Sequence, residues 1–421
     1  MQIELPYGKE YLKLSLPDEQ VERVLTSRLE QAPVLDGEAA VREALAHPIG
    51  SAPLALLARS KKNVVVIISD HTRPVPSRVI LPAMLEQVRA GNPGADITLL
   101  VATGCHRAPT AGELREKLGD AIFEREKIVV HDAEDASAMV KIGRLPSGGS
   151  LWINRVAAQA DLLLAEGFIE PHFFAGFSGG RKSVLPGVAA RQSVHFNHCA
   201  PMIDHPLARC GVTQGNPIHE DMLSAARQAN LSFIVNVVIN AKKQVVGAFA
   251  GDVEQAHAAG CDFLRALAAC PAAPADIVIS TNNGYPLDQN LYQAVKGMST
   301  AEATAAPGAV IIMVARCEDG HGGESFLATF RDNPSAGDIL KSIRAVAPED
   351  TIVDQWQSQI LARILEKHTV IMLSQADDET VRQLHMLPAH SLEQALKIAR
   401  EMKGAAARIT VVPEGVSTII R

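Results

Sequence analysis

Aromatic side chains are scarce: Phe, Trp and Tyr make up 4% of the 421 residues, with only two Trp and four Tyr. That leaves few platforms for stacking nucleic-acid bases, and a formal net charge of −7 supplies no cationic field to draw a duplex. Long hydrophobic runs are also missing, since no apolar stretch approaches the ~18–20 residues of a membrane span. The opening residues 1–16 are interrupted by Glu4, Pro6, Lys9, Glu10 and Lys13. They lack the apolar core of a secretory signal, so a cytoplasmic location is expected. Six cysteines, Cys105, Cys199, Cys210, Cys261, Cys270 and Cys317, form no CxxC pair and are too sparse for a disulfide scaffold. Free thiols are expected. No G-x-G-x-x-G fingerprint occurs, which argues against an ordinary dinucleotide dehydrogenase. What remains is a chain 47% hydrophobic and 21% charged, long enough for two or three domains. An anionic ligand would have to be met by a few local cations.

Short apolar, β-branched runs alternate with helical patterns along the chain. Residues 64–69 (VVVIIS), 96–102 (DITLLVA), 127–130 (KIVV) and 161–165 (DLLLA) read as strands, and residues 77–90 carry helical apolar spacing. After a helical middle, residues 231–239, 276–280, 309–314, 369–373 and 408–412 read as strands again. Continuous apolar strands separated by helices imply parallel sheets covered on both faces. The expected fold is α/β: two α/β domains with mainly parallel sheets and the active site in the cleft between them. Residues 268–274 break the pattern, so the domains are drawn at 1–270 and 275–421. Ligands of open α/β sheets collect beyond the carboxyl ends of the strands. The segments that follow the strands are polar here.

The first reads Asp70-His71-Thr72-Arg73-Pro74-Val75-Pro76. Its prolines pin a turn, Arg73 offers a planar fork for a carboxylate or phosphate, and Asp70 can orient Arg73 or cap the next helix. Residues 103–110 (TGCHRAPT) display His106 in a strand-to-helix loop, where a general acid or base is often presented. Residues 166–187 (EGFIEPHFFAGFSGGRKSVLPG) carry His172, then Gly176, Gly179 and Gly180 leading into Arg181 and Lys182. Glycines let backbone N–H groups approach a phosphate, and adjacent cations neutralise it. Arg181 stands where a P-loop needs glycine, so the reading is phosphate or mononucleotide contact, with a phosphate-loop NTPase as the alternative. Residues 191–200 (RQSVHFNHCA) place His195 and His198 on one helical face, where either could bind a metal, although no HExxH or third carboxylate accompanies them. In the second domain a helix carries Tyr292, Gln293 and Lys296 near its N-terminus, a polar patch suited to an anion. Residues 354–357 (DQWQ) set Trp356 in a polar stretch. Phe173, Phe174 and Phe177 flank His172 and would narrow a pocket, and Arg107 offers a second cation. Each feature also has a bland reading as a cap, a solvated side chain or a packing turn.

In this order, the segments DHTRPVP, GCHR, EPHFFAGFSGGRKSVLPG, HFNH, YQAVKG and DQWQ resemble the nickel-pincer lactate racemase family along most of the chain. The resemblance implies an isomerase: a 2-hydroxy acid racemase or epimerase with lactate the default substrate, and malate-like, longer-chain or sugar acids the alternatives. It implies a nickel-pincer nucleotide, a pyridinium-3-thioamide-5-thiocarboxylic acid mononucleotide, holding Ni(II) through S, C and S and bound covalently at Lys182. His198 would complete the square plane, a geometry natural to Ni(II). By the same matching, His106 and His172 are paired acid/base residues, while Arg73 and Lys296 hold the substrate carboxylate with Gln293 beside them. Asp70, Tyr292 and Trp356 complete the shell, and the phosphate lies against the turn at Gly179 and Gly180. Inverting the carbon through hydride abstraction and a 2-oxo acid requires one base for each enantiomer. The implied partners are a small anionic substrate and the enzymes that build and install the cofactor, with no nucleic acid and no membrane. A non-catalytic metal or nucleotide carrier is a further reading from another class.

Overall fold

The computed structural model describes all 421 residues and is organised by two six-stranded sheets. The first runs Val245–Gly251, Leu231–Ile239, Leu162–Phe168, Asn63–Ser69, Asp96–Ala102, Lys127–Val130. All its pairings are parallel except that of the Val245–Gly251 edge. The second runs Leu387–Ala389, Thr369–Leu373, Ala305–Val314, Ala275–Thr281, Ile409–Val412, Val21–Val24, all parallel. The β-branched run Val64–Ile68 is buried on both faces, since helices such as Ser77–Gly91 lay Ile80, Leu81, Met84 and Val88 against the sheet. Such residues suit a pleated surface packed on either side. The nine runs read as strands are strands, and the fold class is the expected one. The run at 161–165 extends to Phe168, and the run at 309–314 starts at Ala305.

The N-terminus differs from the expectation. Gln2–Tyr7 and Glu10–Ser15 form a hairpin, and Val21–Val24 pairs with Ile409–Val412 at the edge of the second sheet. Leu5, Tyr7, Leu14 and Leu16 pack with Ile277, Ile279, Ile312 and Val411. The first 24 residues therefore sit with the C-terminal unit, although residues 1–270 had been drawn as one domain. The physical reason is that a hairpin with one apolar face needs a sheet face to cover, and the unburied face here is the second sheet's.

In each sheet the chain works outward from a central strand and then returns to that strand's other side. The reversal falls between Asn63–Ser69 and Leu162–Phe168 in the first, and between Ala275–Thr281 and Ile409–Val412 in the second. These switch points open the crevices where ligands settle. One hydrophobic cluster bridges the halves, joining Phe174, Val184, Met202 and Ile203 to Leu291, Val295, Met298 and Leu361. At its rim Arg344 Nε meets Asp204 Oδ2 at 2.7 Å, and Gln359 Nε2 donates to the Ala200 carbonyl at 2.9 Å. The six cysteines are free, and no helix is long and apolar enough to cross a membrane.

Candidate functional site

The loop after Asn63–Ser69 delivers Asp70, which is 1% exposed. Its Oδ2 lies 2.8 Å from His106 Nδ1, and its Oδ1 accepts from the Thr72 N–H (3.1 Å) and hydroxyl (2.7 Å). Burial pushes the Asp70 carboxyl up, but the hydrogen bond and charge of His106, with Thr72 and Arg73, outweigh it and hold the group below its usual range. An ionised Asp70 fixes the His106 proton on Nδ1 and leaves Nε2 with a free lone pair. Arg73, on the same loop, is exposed and donates to the Thr72 hydroxyl at 2.9 Å.

After Leu162–Phe168 the chain makes the tight pair Pro171–His172 and Gly176–Phe177, which sets His172 beside Phe173 and Phe174. Phe174 is the hub of this cluster. Its ring meets His172 edge-on at 4.5 Å and His198 at 5.1 Å, and Lys182 Nζ stands 6.0 Å from its centroid. Burial, then the charges of Lys182, Lys296, His198 and Arg73, drives His172 well below its usual range. Burial, then Arg181 and Arg73, does the same to Lys182, with Glu170 opposing. Such a shift favours the uncharged, nucleophilic form of the amine.

His198 caps the helix Arg191–Asn197, and its Nδ1 donates to the Val194 carbonyl at 2.9 Å. That contact keeps the proton on Nδ1 and turns Nε2 free, as a metal ligand requires. Burial first, and Lys182 next, pushes the imidazole down to about 3, so it is neutral. Trp356 packs edge-on against it at 5.0 Å and lies 6.1 Å from His195. No group of three His, Cys, Asp or Glu gathers anywhere in the chain to hold a metal by itself.

The second half contributes the helix Leu291–Glu302, capped by Asn290, whose Oδ1 accepts from the Gln293 N–H at 3.0 Å. Tyr292 Oη donates to Asp354 Oδ1 at 2.9 Å; burial and that carboxylate raise the phenol well above its usual range. Lys296 falls to about 8 through burial and the charge of Arg73, with Glu170 opposing. The charges of Arg73, His172, Lys182 and Lys296 therefore act on one another across the two halves.

Several expectations change. Gly179 and Gly180 have φ of +76° and +52°, and the Gly180 N–H donates to Asn236 Oδ1 at 2.7 Å. A Cβ on Gly180 would press 2.8 Å from the His257 ring. These glycines allow close packing, and the Gly180 N–H is not free for a phosphate. Arg181 turns inward, fully buried, and donates to the carbonyl of Ala175 at 2.8 Å, with His257 Nε2 standing 3.0 Å from its guanidinium. Nothing of a P-loop cradle remains there. Phe177 is core beneath Arg265, not pocket wall. Arg107 is held by Glu113 at 2.6 and 2.9 Å, so it is no spare cation for a second carboxylate. The residue that sequence reasoning missed is Glu170. Its carboxyl is raised by burial and opposed by Lys296, Arg73 and Lys182, which makes it the one acidic group facing all three cations. A single Glu before a proline carries no spacing that could have revealed this. A cavity of about 580 Å³ lined by Arg209, Glu302, Lys367 and His368 contains none of the site residues.

Family models for the lactate racemase N-terminal domain and the lactate racemase C-terminal domain match residues 7–211 and 270–420. A lactate racemase of Thermoanaerobacterium thermosaccharolyticum is 50% identical over 421 residues, covering 100% of this chain and 99% of that protein. One from Lactiplantibacillus plantarum is 49% identical over 424 residues, with the same coverage. The structure of the lactate racemase apoprotein from T. thermosaccharolyticum matches with a TM-score of 0.97 over 100% of both chains. A Thermotoga maritima protein, 19% identical with a TM-score of 0.65 over 92% of this chain, shares the fold.

Proposed function

Because the chain belongs to the lactate racemase family, we propose that it interconverts the enantiomers of a small 2-hydroxy acid, lactate by default, using a nickel-pincer nucleotide bound at Lys182. The observation that carries this reading is the convergence of Arg73, His172, Lys182 and Lys296, drawn from two loops, a turn and a helix in both halves of the molecule. The residues fit the cofactor. Lys182 is buried and shifted toward the uncharged amine that acylation needs, and His198 offers a fixed Nε2 lone pair. With no group of three metal-ligating side chains at His198, a metal there takes remaining donors from a non-protein group, as a pincer would supply. When bound, the cofactor supplies a reversible acceptor for the hydrogen on the substrate's C2.

The chain supplies the rest. Arg73 and Lys296 grip the carboxylate from opposite halves, and Gln293 lies beside them, which holds the 2-oxo acid while it turns. His106, backed by Asp70, takes the hydroxyl proton at Nε2 for one enantiomer. His172 lies on the other loop. Its Nδ1 accepts from the Ala175 N–H at 3.3 Å, so its neutral ring carries the proton on Nε2 and donates to the substrate oxygen until the tautomer shifts. Tyr292, tied to Asp354, and Trp356, packed on His198, steady the site's second-half wall.

The test uses protein coexpressed with cofactor-making enzymes. D-lactate and L-lactate should each racemise, intact mass should map an adduct to Lys182, and nickel should be about stoichiometric. Unmodified Lys182 in protein that racemises lactate would overturn the cofactor assignment. Inactivity of adduct-bearing, nickel-loaded protein toward a panel of 2-hydroxy acids would overturn the activity.

A further inference from the structure

Arg73 and the Asp70–His106 pair depend on the loop 70–76, and both ends of that loop meet on one side chain. Glu166 is 1% exposed and lies on Leu162–Phe168, the neighbour of the strand that delivers the loop. Its Oε1 accepts from the Ser69 N–H (3.1 Å), the Ser69 hydroxyl (3.2 Å) and the Ser77 hydroxyl (2.9 Å). Ser69 is the last residue of the strand before the loop, and Ser77 is the first residue of the helix after it. On the outer side, Lys117 from the helix Ala111–Leu118 donates to the Arg73 carbonyl at 3.2 Å. The loop is thus held at its base by a strand and at its crown by a helix.

Packing alone does not call for this arrangement. Burying a carboxyl costs stability, and Glu166 Oε2 is buried with no partner at all. What the side chain achieves is geometric: a single oxygen closes the base of the loop. The same strand runs on into Glu170 and His172, so the clamp also fixes the loop's place relative to the second histidine.

We propose that Glu166 is a positioning residue for substrate recognition: by holding both ends of loop 70–76 it sets Arg73 against the substrate carboxylate, with Lys117 securing the loop's crown. This rests on the reading of Arg73 as a carboxylate clamp. In all three contacts Glu166 Oε1 accepts, which an amide oxygen also does.

The experiment measures KM and kcat for lactate in cofactor-loaded protein, for Glu166→Ala, Glu166→Gln, Arg73→Ala and the Glu166→Ala/Arg73→Ala pair. Glu166→Ala should raise KM by about tenfold to a hundredfold with a smaller change in kcat, as expected for a misplaced binding group. Glu166→Gln should stay within about threefold of the parent, because its oxygen still accepts. With Arg73 already removed, the loss of Glu166 should change KM by no more than about twofold, since the loop's other functional group, the Asp70–His106 pair, acts on kcat and not on carboxylate binding. In the apoprotein, amide hydrogen exchange at Thr72 and Arg73 should quicken in Glu166→Ala, while Leu231–Ile239 should not change. If Glu166→Ala does not fold, Ser77→Ala removes one donor and should move KM in the same direction by about threefold. An unchanged KM in these variants overturns the proposal, as does full additivity in the double variant, which would assign Glu166 to stability alone. An unchanged KM in Arg73→Ala overturns instead the reading of Arg73 on which it rests.

Discussion

Lys296 has a charge that changes within an ordinary assay range. Burial and the nearby Arg73 lower it to about 8, and only Glu170 resists. It is therefore cationic below that pH and neutral above it, while the Arg73 guanidinium stays charged throughout. KM for lactate should be flat below about pH 8 and climb above it. In Lys296→Arg the climb should vanish from the range pH 6–10, because a guanidinium does not titrate there. KM measured across that range in both proteins decides the point, and an unmoved limb in the variant would assign it to another group. At this scale the sequence was most informative where a residue type met a strand end. Asp70, Arg73, His106, His172 and Lys182 all lie in such segments. Glu170 and Asp354 fall inside segments that stood out, but their roles were not legible there, because each acquires its role only through neighbours from the opposite half or from a distant turn.

The helix Leu291–Glu302 positions Tyr292, Gln293 and Lys296 only because it lies close against Ala275–Thr281. Gly297 is the point of contact. Its N–H donates to Asn282 Oδ1 at 3.0 Å, its carbonyl accepts from the Ser280 hydroxyl at 3.0 Å, and a Cβ would press on the Thr281 carbonyl and the Met313 methyl. Gly297→Ala should lift the helix, lower stability by about 1–3 kcal/mol in urea unfolding, and raise KM because Lys296 and Gln293 ride on the same turn. Unchanged stability would mean the helix relaxes without cost. Elements like Asn63–Ser69 were legible because continuous β-branched runs have few other homes. The hairpin Gln2–Ser15 was not. Its alternating, charge-broken pattern specifies one buried face, and only the folded chain reveals that the face belongs on a sheet at the other end of the sequence.

Neither half of the molecule is complete alone, as the path of the N-terminal segment shows. Val21–Val24 covers the open edge at Ile409–Val412, and Leu5 and Leu14, both fully buried, cover one face of the second sheet. The loop leading to the Lys296 helix leans on the same hairpin, since Tyr285 N–H donates to the Gly8 carbonyl at 2.8 Å and Gly8 N–H to Asp288 Oδ2 at 2.6 Å. A fragment beginning at residue 270 would expose an unpaired strand edge and an apolar sheet face, the two features that drive aggregation. It should be insoluble or molten when made alone. Joining residues 1–28 to it through a flexible linker restores the missing strand and hairpin, and should yield a soluble fragment with cooperative unfolding by circular dichroism. A cooperative, soluble fragment 270–421 without that addition would refute the dependence. The dependence matters to the chemistry because the carboxylate is gripped from both sides. Arg73 follows the first sheet and Lys296 the second, so a chain that crosses between the sheets twice holds their relative position more firmly than a single linker would.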